Sequence, residues 1–384
     1  TISNGTLALS AANVSNINDS TAGGAHILSN VTVNNAGTVN YSVIPGNSRE
    51  LLLNNSSTFN NQAGGVFDFK SDALVSENAG GGGTFNNSGV VKKSGGTGTS
   101  GFANLVRFNN VDGTADSGTG TVLLQTTGNH SGTFSVLGNR VLFNAGTHSF
   151  ADASVLNGVI NFAGATIALG TTTINDTLNL TAGTLNLGGK TTSIDGLVNW
   201  SGGSTISNGT LALSAANVSN INDSTAGGFH VLSGMVVNNA GTVNYNVVPG
   251  NSRELLLNNS SIFNNQVGGV FDFKSDAVVS ENIGGGGTFN NSGVVKKSGG
   301  TGNSGFSNLA RFNNVAGTVD SGTGTVLLQT TGNHSGTFTA LGNRVLFNAG
   351  THSFADGSVL NGVINFAGAT LALGTTNIND TFNL

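Results

Sequence analysis

A block of sequence that returns almost unchanged after 204 residues restricts this chain to a repetitive architecture. Thr1-Ile2-Ser3-Asn4-Gly5-Thr6-Leu7-Ala8-Leu9-Ser10 recurs as Thr205-Ile206-Ser207-Asn208-Gly209-Thr210-Leu211-Ala212-Leu213-Ser214, and the offset then holds without a gap to Leu384. Residues 1–180 and 205–384 differ at 22 positions, and residues 181–204 have no second copy. The organisation is therefore a first copy over 1–204 and an incomplete second copy over 205–384, continuous with it. Fewer than two periods point to a longer array, with further repeats of the same chain expected at both ends. Most exchanges conserve volume, such as Ile27 with Val231, Leu74 with Val278, Ile167 with Leu371 and Leu178 with Phe382, as a packed interior tolerates. Ala25 with Phe229 and Ala79 with Ile283 are larger and are expected near loops or the end of the core.

A shorter period lies inside the long one. Val159-Ile160-Asn161-Phe162, Thr177-Leu178-Asn179-Leu180 and Leu197-Val198-Asn199-Trp200 follow one another at about 19 residues, and Phe59-Asn60-Asn61, Phe85-Asn86-Asn87 and Phe108-Asn109-Asn110 at 26 and then 23. Each unit holds short segments of alternating apolar and polar residues, separated by Gly, Asn, Ser and Thr. Alternation turns one side of a strand inward, and Gly and Asn supply corners. Stacking such units satisfies the backbone only if each strand pairs in parallel with its counterpart one coil away, about 4.8 Å along the axis. The expected fold is all-β: a parallel β-solenoid (β-helix) of about 19–26 residues per coil, forming an elongated rod. Phe, Leu, Val and Ile fill its bore, and Asn amides stack at its corners. A sandwich would show mirror-related hairpins and a propeller a period of 40–50 residues; neither pattern is present.

Composition closes off other classes. The chain has 60 Gly and 56 Asn among 384 residues, which excludes helical bundles. Its 13 Lys and Arg against 18 Asp and Glu leave a net charge of −5 and no basic stripe, so nucleic acid is not an expected partner. No apolar run reaches the length of a membrane-spanning helix, so no membrane insertion is expected of this segment. The absence of cysteine removes disulfides and thiolate chemistry and is compatible with export.

Thr84-Phe85-Asn86-Asn87-Ser88-Gly89-Val90-Val91, Gly132-Thr133-Phe134, Thr147-His148-Ser149-Phe150 and Asp195-Gly196-Leu197-Val198-Asn199-Trp200-Ser201-Gly202-Gly203 resemble the repeats of large bacterial β-strand-repeat surface proteins, and through them the β-helical passenger regions of autotransporter and filamentous-haemagglutinin-like adhesins. The resemblance covers essentially the whole chain and rests on composition. It implies an extracellular or cell-surface stalk or fibre used in adhesion, matrix or surface coating. It carries over no catalytic residues.

Residues able to do chemistry are few. Six histidines form three duplicated pairs, His26 with His230, His130 with His334 and His148 with His352. No nucleophile elbow or His-Glu-x-x-His accompanies them, and His148 reads as an outward solvated residue or a corner hydrogen-bonder. In Val66-Phe67-Asp68-Phe69-Lys70 the two charges share one side and the two Phe the other, which suggests a solvated outer ion pair. Asp72, Glu77 and Asp116 lie in oxygen-rich loops that could hold an adventitious calcium ion, although the calcium-binding nonapeptide is missing. Asp112 becomes Ala316, so it cannot be essential in both copies. Lys92-Lys93 and Lys296-Lys297 read as solubilising edge features, Gly80 to Gly83 as a flexible turn, Ile44-Pro45-Gly46-Asn47 as a type II turn, and Ser48 to Leu53 as a bulge. Thr occurs in scattered runs such as Thr171-Thr172-Thr173, without a regular ladder of the ice-binding kind.

These readings converge on a non-enzymatic structural segment of a giant extracellular bacterial protein, with no catalytic, cofactor or metal residues assigned. The alternatives are a carbohydrate- or host-binding adhesin whose face is built of Asn, Ser and Thr rows, and, less favoured, a polysaccharide-degrading enzyme on the same fold. A homo-oligomer or filament is an expected assembly.

Overall fold

The computed structural model describes all residues except 19–23, 45–49, 223–227, 248–254 and 309–310, and the side chains of 137–138 and 341–342 are likewise outside the description. The Pro45 and Pro249 turns fall outside it. Among the described residues there is no helix, and every strand pairing is parallel. Contacts group the chain into two units, Thr1–Asn179 and Leu180–Leu384.

In the first unit each coil contributes one strand to each of three faces, so the fold is a three-faced parallel β-solenoid. The first face runs through Leu28, Leu53, Val75, Phe102, Leu124, Phe143 and Phe162, with adjacent segments paired from one coil to the next. The second stacks Val33, Phe59, Phe85 and Phe108, then reaches His130, Phe150 and the strand holding Ile167. The third stacks Val39, Phe67, Val91, Ala115, Phe134 and Leu156. Coil length varies more than the motif spacing suggests, from 18 residues (Leu156 to Ile174) to 28 (Thr38 to Val66).

Alternation explains the core. In Thr58–Asn61 and Thr84–Asn87 the first and third residues are half-buried and the second and fourth buried. The Phe rings therefore meet inside: Phe59 lies on Phe85 with centroids 4.7 Å apart and planes within 4°, and Phe102 on Phe108 at 4.1 Å. The buried Asn of each Phe-Asn-Asn triplet stacks at the corner, Asn35 Nδ2 donating to Asn61 Oδ1, Asn61 to Asn87 and Asn87 to Asn110, each at 2.8 Å. Asn61 Nδ2 also donates to the carbonyl of Val90, so the buried amide binds the turn as well as its neighbours.

Glycine at this corner is required by proximity. A Cβ on Gly89 would stand 2.2 Å from the carbonyl oxygen of Gly65. At the opposite corner, Asn55 and Ser56 themselves adopt the left-handed conformation, with φ of 52° and 60°.

Leu51–Asn54 is a fully buried strand of the first face, so the bulge expected over Ser48 to Leu53 is not seen at its described leucines. Packing does not account for all the conservative exchanges. Ile167 and Leu178 are buried, but Ile27 and Leu74 are half-buried. Phe229 and Ile283, the larger exchanges, are exposed as expected of loop or end positions.

The second unit repeats this plan. Its faces stack Leu232, Leu257, Val279 and Phe306; Val237, Phe263, Phe289 and Phe312; and Val243, Phe271, Val295 and Val319. It begins with a narrow coil, 21 residues from Leu185 to Ile206, and widens to 26 from Ile206 to Leu232. At that step a cavity of about 30 Å³ opens in the bore, lined by Trp200, Ile206, Leu211, Leu232 and other side chains, most of them apolar. Apolar walls of this kind keep a cavity dry.

Candidate functional site

Polar side chains that the sequence marks as solvated or reactive are mostly built into the wall. Phe67 and Phe69 point inward and Asp68 and Lys70 outward, as alternation requires. Asp68 is nonetheless only 1% exposed, which corrects its reading as a solvated pair. Its carboxylate lies 2.7 Å from Lys70 Nζ and 3.6 Å from Lys92 Nζ one coil on, and accepts from the Ser94 N–H at 3.2 Å. Burial pushes this carboxyl up, but the hydrogen bonds from Lys70 and Ser94 and the charge of Lys92 outweigh it and hold it below its ordinary value.

Lys93 corrects a second reading. It is wholly buried, not a solubilising edge. Its Nζ donates to Asp72 Oδ1 at 2.6 Å, to the Gly95 carbonyl at 2.7 Å and to Ser100 Oγ at 3.1 Å, which uses all three protons. Asp72 also accepts from the Gly98 N–H, so the pair pins residues 93–100 to the preceding coil. Glu77 acts in the same way on the glycine run: its carboxylate accepts from the N–H groups of Gly82 at 3.0 Å and Gly83 at 2.8 Å. The second half of that run is thus tied to Glu77. Asp116 accepts from the Gly118 N–H. The three loop acids considered for calcium are thus bonded to nitrogen donors, and among the described residues no group of three or more His, Asp or Glu could hold a metal ion.

The histidines depart furthest from expectation. His148 is buried and not outward, and of its two expected readings the hydrogen-bonding one holds; its Nδ1 is 3.0 Å from His130 Nε2. The Asn110 N–H donates to His130 Nδ1, so His130 carries its proton on Nε2 and donates to His148; His148 Nε2 in turn donates to the Ala145 carbonyl at 3.2 Å. Phe108, Phe134, Phe143 and Phe150 surround the pair. Burial holds both rings neutral, pushing His148 down to about 4 and His130 well below its ordinary value. His334 and His352 repeat the arrangement at 3.0 Å, pushed down to about 3 and about 4. Ser131, next to His130, donates instead to Asp112 at 3.0 Å, so the Ser, His and Asp here form no relay.

The outward residues of the second face form rows. Asn60 Nδ2 donates to Asn34, Asn86 to Asn60 and Asn109 to Asn86, each at 2.9 Å. Thr6, Thr32, Thr58 and Thr84 stand in register beside them, a regular threonine ladder that scattered runs in the sequence did not reveal. The second copy keeps the Asn row through Asn238, Asn264, Asn290 and Asn313 but places Val236 and Ile262 in the threonine positions.

Sequence reasoning missed the burial of Lys93 and the pairing of the histidines. Lys93 left a signal, since it lies two residues from the inward Val91; the histidine pairing left none, because the coil there is 20 residues, Gly128 to His148, and the rings meet across the register.

No protein-family model matches this chain, and no curated protein matches it.

Proposed function

We propose that the chain is a length of rigid scaffold in an extracellular bacterial surface protein, a stalk or fibre-forming segment of the autotransporter or filamentous-haemagglutinin-like adhesin type, with no catalytic role. The observation that supports this reading is the use to which the polar groups are put. The Asn corners, the Lys93–Asp72 staple, the Glu77 clamp and the histidine pair each bind one stretch of the wall to another. A scaffold acts through stiffness: stretching along the coil axis must break parallel ladders on three faces together, and interior amide rows break with them. A 204-residue repeat adds length in fixed steps. Electron microscopy of the native full-length material, with antibody labelling of intact cells, tests the reading. Rods or fibres outside the cell support it; a compact particle or a purely internal label contradicts it.

A second reading, binding of a glycan or host surface, is favoured by the adjoining Thr and Asn rows of the first copy. Glycan-array binding that is lost on replacing Thr58 and Asn60 with Ala, without loss of folding, would support it over the scaffold alone.

A further inference from the structure

The histidine pairs use a buried position in a way that stiffness alone does not call for. On the preceding coils the places in register with His130 are filled by the corner asparagines Asn87 and Asn110, whose amides link coils without titrating, while His148 stands in register with Gly128 and Ile167. The pair carries a hydrogen-bond chain with one direction and one protonation state, from the Asn110 N–H through His130 and His148 to the Ala145 carbonyl. A proton added to His148 Nδ1 sets two donors against each other at 3.0 Å. A proton added to His130 Nδ1 sets a donor against the Asn110 N–H.

The backbone hydrogen bonds of His148 with Ala145 and Thr126 favour a charge on that ring, but burial outweighs them, and no charged group offsets a proton on either ring. The strand Arg107–Asn110 faces them with Phe108 and Asn110, and its Arg107 is exposed. Thr133–Ala145 supplies Phe134, Phe143 and the Ala145 carbonyl, while its Arg140 donates to Thr121 Oγ1. Thr147–Phe150 supplies Phe150, and Val155–Ala168 supplies Ile167. The acid next in sequence, Asp112, is exposed, bonded to Ser131, and replaced by Ala316 in the second copy, where the histidine pair persists.

We propose that each histidine pair is an acid-release catch: a proton taken up by either ring breaks the link between the coils at 128–130 and 147–150 and opens the solenoid there, once in every 204-residue period. The coils at 58–61 and 84–87 are closed by Phe stacks and Asn corners, neither of which titrates, so they stay paired while the histidine coils open. The scaffold thereby gains a defined acid-sensitive point at a fixed place in each repeat, which goes beyond the passive role proposed above and does not depend on it.

The test uses the full chain labelled with ¹⁵N in its histidine rings, titrated from pH 7.5 to 3 while hydrogen exchange is followed. The four rings are expected to hold the Nε2–H neutral form at pH 7. Exchange at 128–130 and 147–150, corrected for intrinsic rates, should accelerate roughly a hundredfold between pH 6.5 and 4 relative to residues 58–61 and 84–87. A chain carrying His130→Gln, His148→Gln, His334→Gln and His352→Gln keeps a donor and an acceptor at each place and should lose the acceleration. Rings that protonate near pH 6.5 while their coils stay protected overturn the proposal, and so does equal acceleration in the Gln chain. If the Gln chain does not fold, the wild-type titration decides alone: ring protonation must coincide with amide release.

Discussion

Lys93 Nζ lies 2.6 Å from Asp72 Oδ1, a wholly buried ammonium held by a carboxylate that is about half exposed. The asymmetry sets which partner matters more. Asp72→Asn leaves a buried charge with weaker acceptors and should destabilise the first unit by about 3 kcal/mol, whereas Lys93→Met removes the charge with its desolvation cost and should cost less. Urea denaturation of the two variants checks the order; equal losses would contradict it.

The two Asn rows of the second face look alike in sequence and differ in burial. Asn61→Ala removes the bonds that Asn61 makes to the Asn35 amide, the Asn87 side-chain oxygen and the Val90 carbonyl, Asn35 keeping only its bond to the Val66 carbonyl, and should cost more than about 3 kcal/mol at about 1–3 per buried group left short of a partner. Asn60→Ala removes half-buried bonds that water replaces, and should cost under about 1 kcal/mol. Melting of each single variant measures the difference.

Two windows of pH dependence are expected. His148 and His352 are pushed from 6.5 to about 4 in the folded chain. Between those values the unfolded chain binds more protons, so stability is complete above pH 6.5 and falls as pH drops toward 4. Asp68, held below its ordinary 3.8, contributes stability that is present above that value and lost below it. Denaturation midpoints at pH 7, 5 and 3.5 should fall in both intervals. Replacing the four paired histidines with Gln should remove the first fall and leave the second.

Gly89→Ala should destabilise by more than about 1 kcal/mol, because the added methyl meets the Gly65 carbonyl and neither backbone can move without breaking its ladder. Gly24→Ala is the control. Its Cβ would meet nothing within 4 Å, and thermal melting should find it near neutral.

Much of the fold was legible because a period of two dictates which side chains share a face. Val66-Phe67-Asp68-Phe69-Lys70 placed its rings inside and its charges outside without knowledge of any partner. The spacing of the Phe-Asn-Asn triplets equals the coil length where they occur, since Phe59, Phe85 and Phe108 pair in register. Burial of charge was less legible. Asp68 is covered by Lys92 and Ser94 from the next coil, and Lys93 meets Asp72 from 21 residues earlier, so both depend on how loops of unequal length fold over a face. The histidine link was harder still: His148 stands in register with Gly128 and reaches His130 diagonally, which spacing alone does not encode.

Parallel stacking of successive coils is the claim on which the rest depends, and disulfide trapping tests it most directly because the chain has no cysteine of its own. Thr58 and Thr84 are paired outward residues one coil apart, and adjacent strands stand within the Cα separation a disulfide spans. The account predicts that Thr58→Cys with Thr84→Cys oxidises readily, and that Thr58→Cys with Asn87→Cys, which face opposite sides of the wall, does not. An antiparallel pairing of the same two strands would reverse both results and contradict the solenoid.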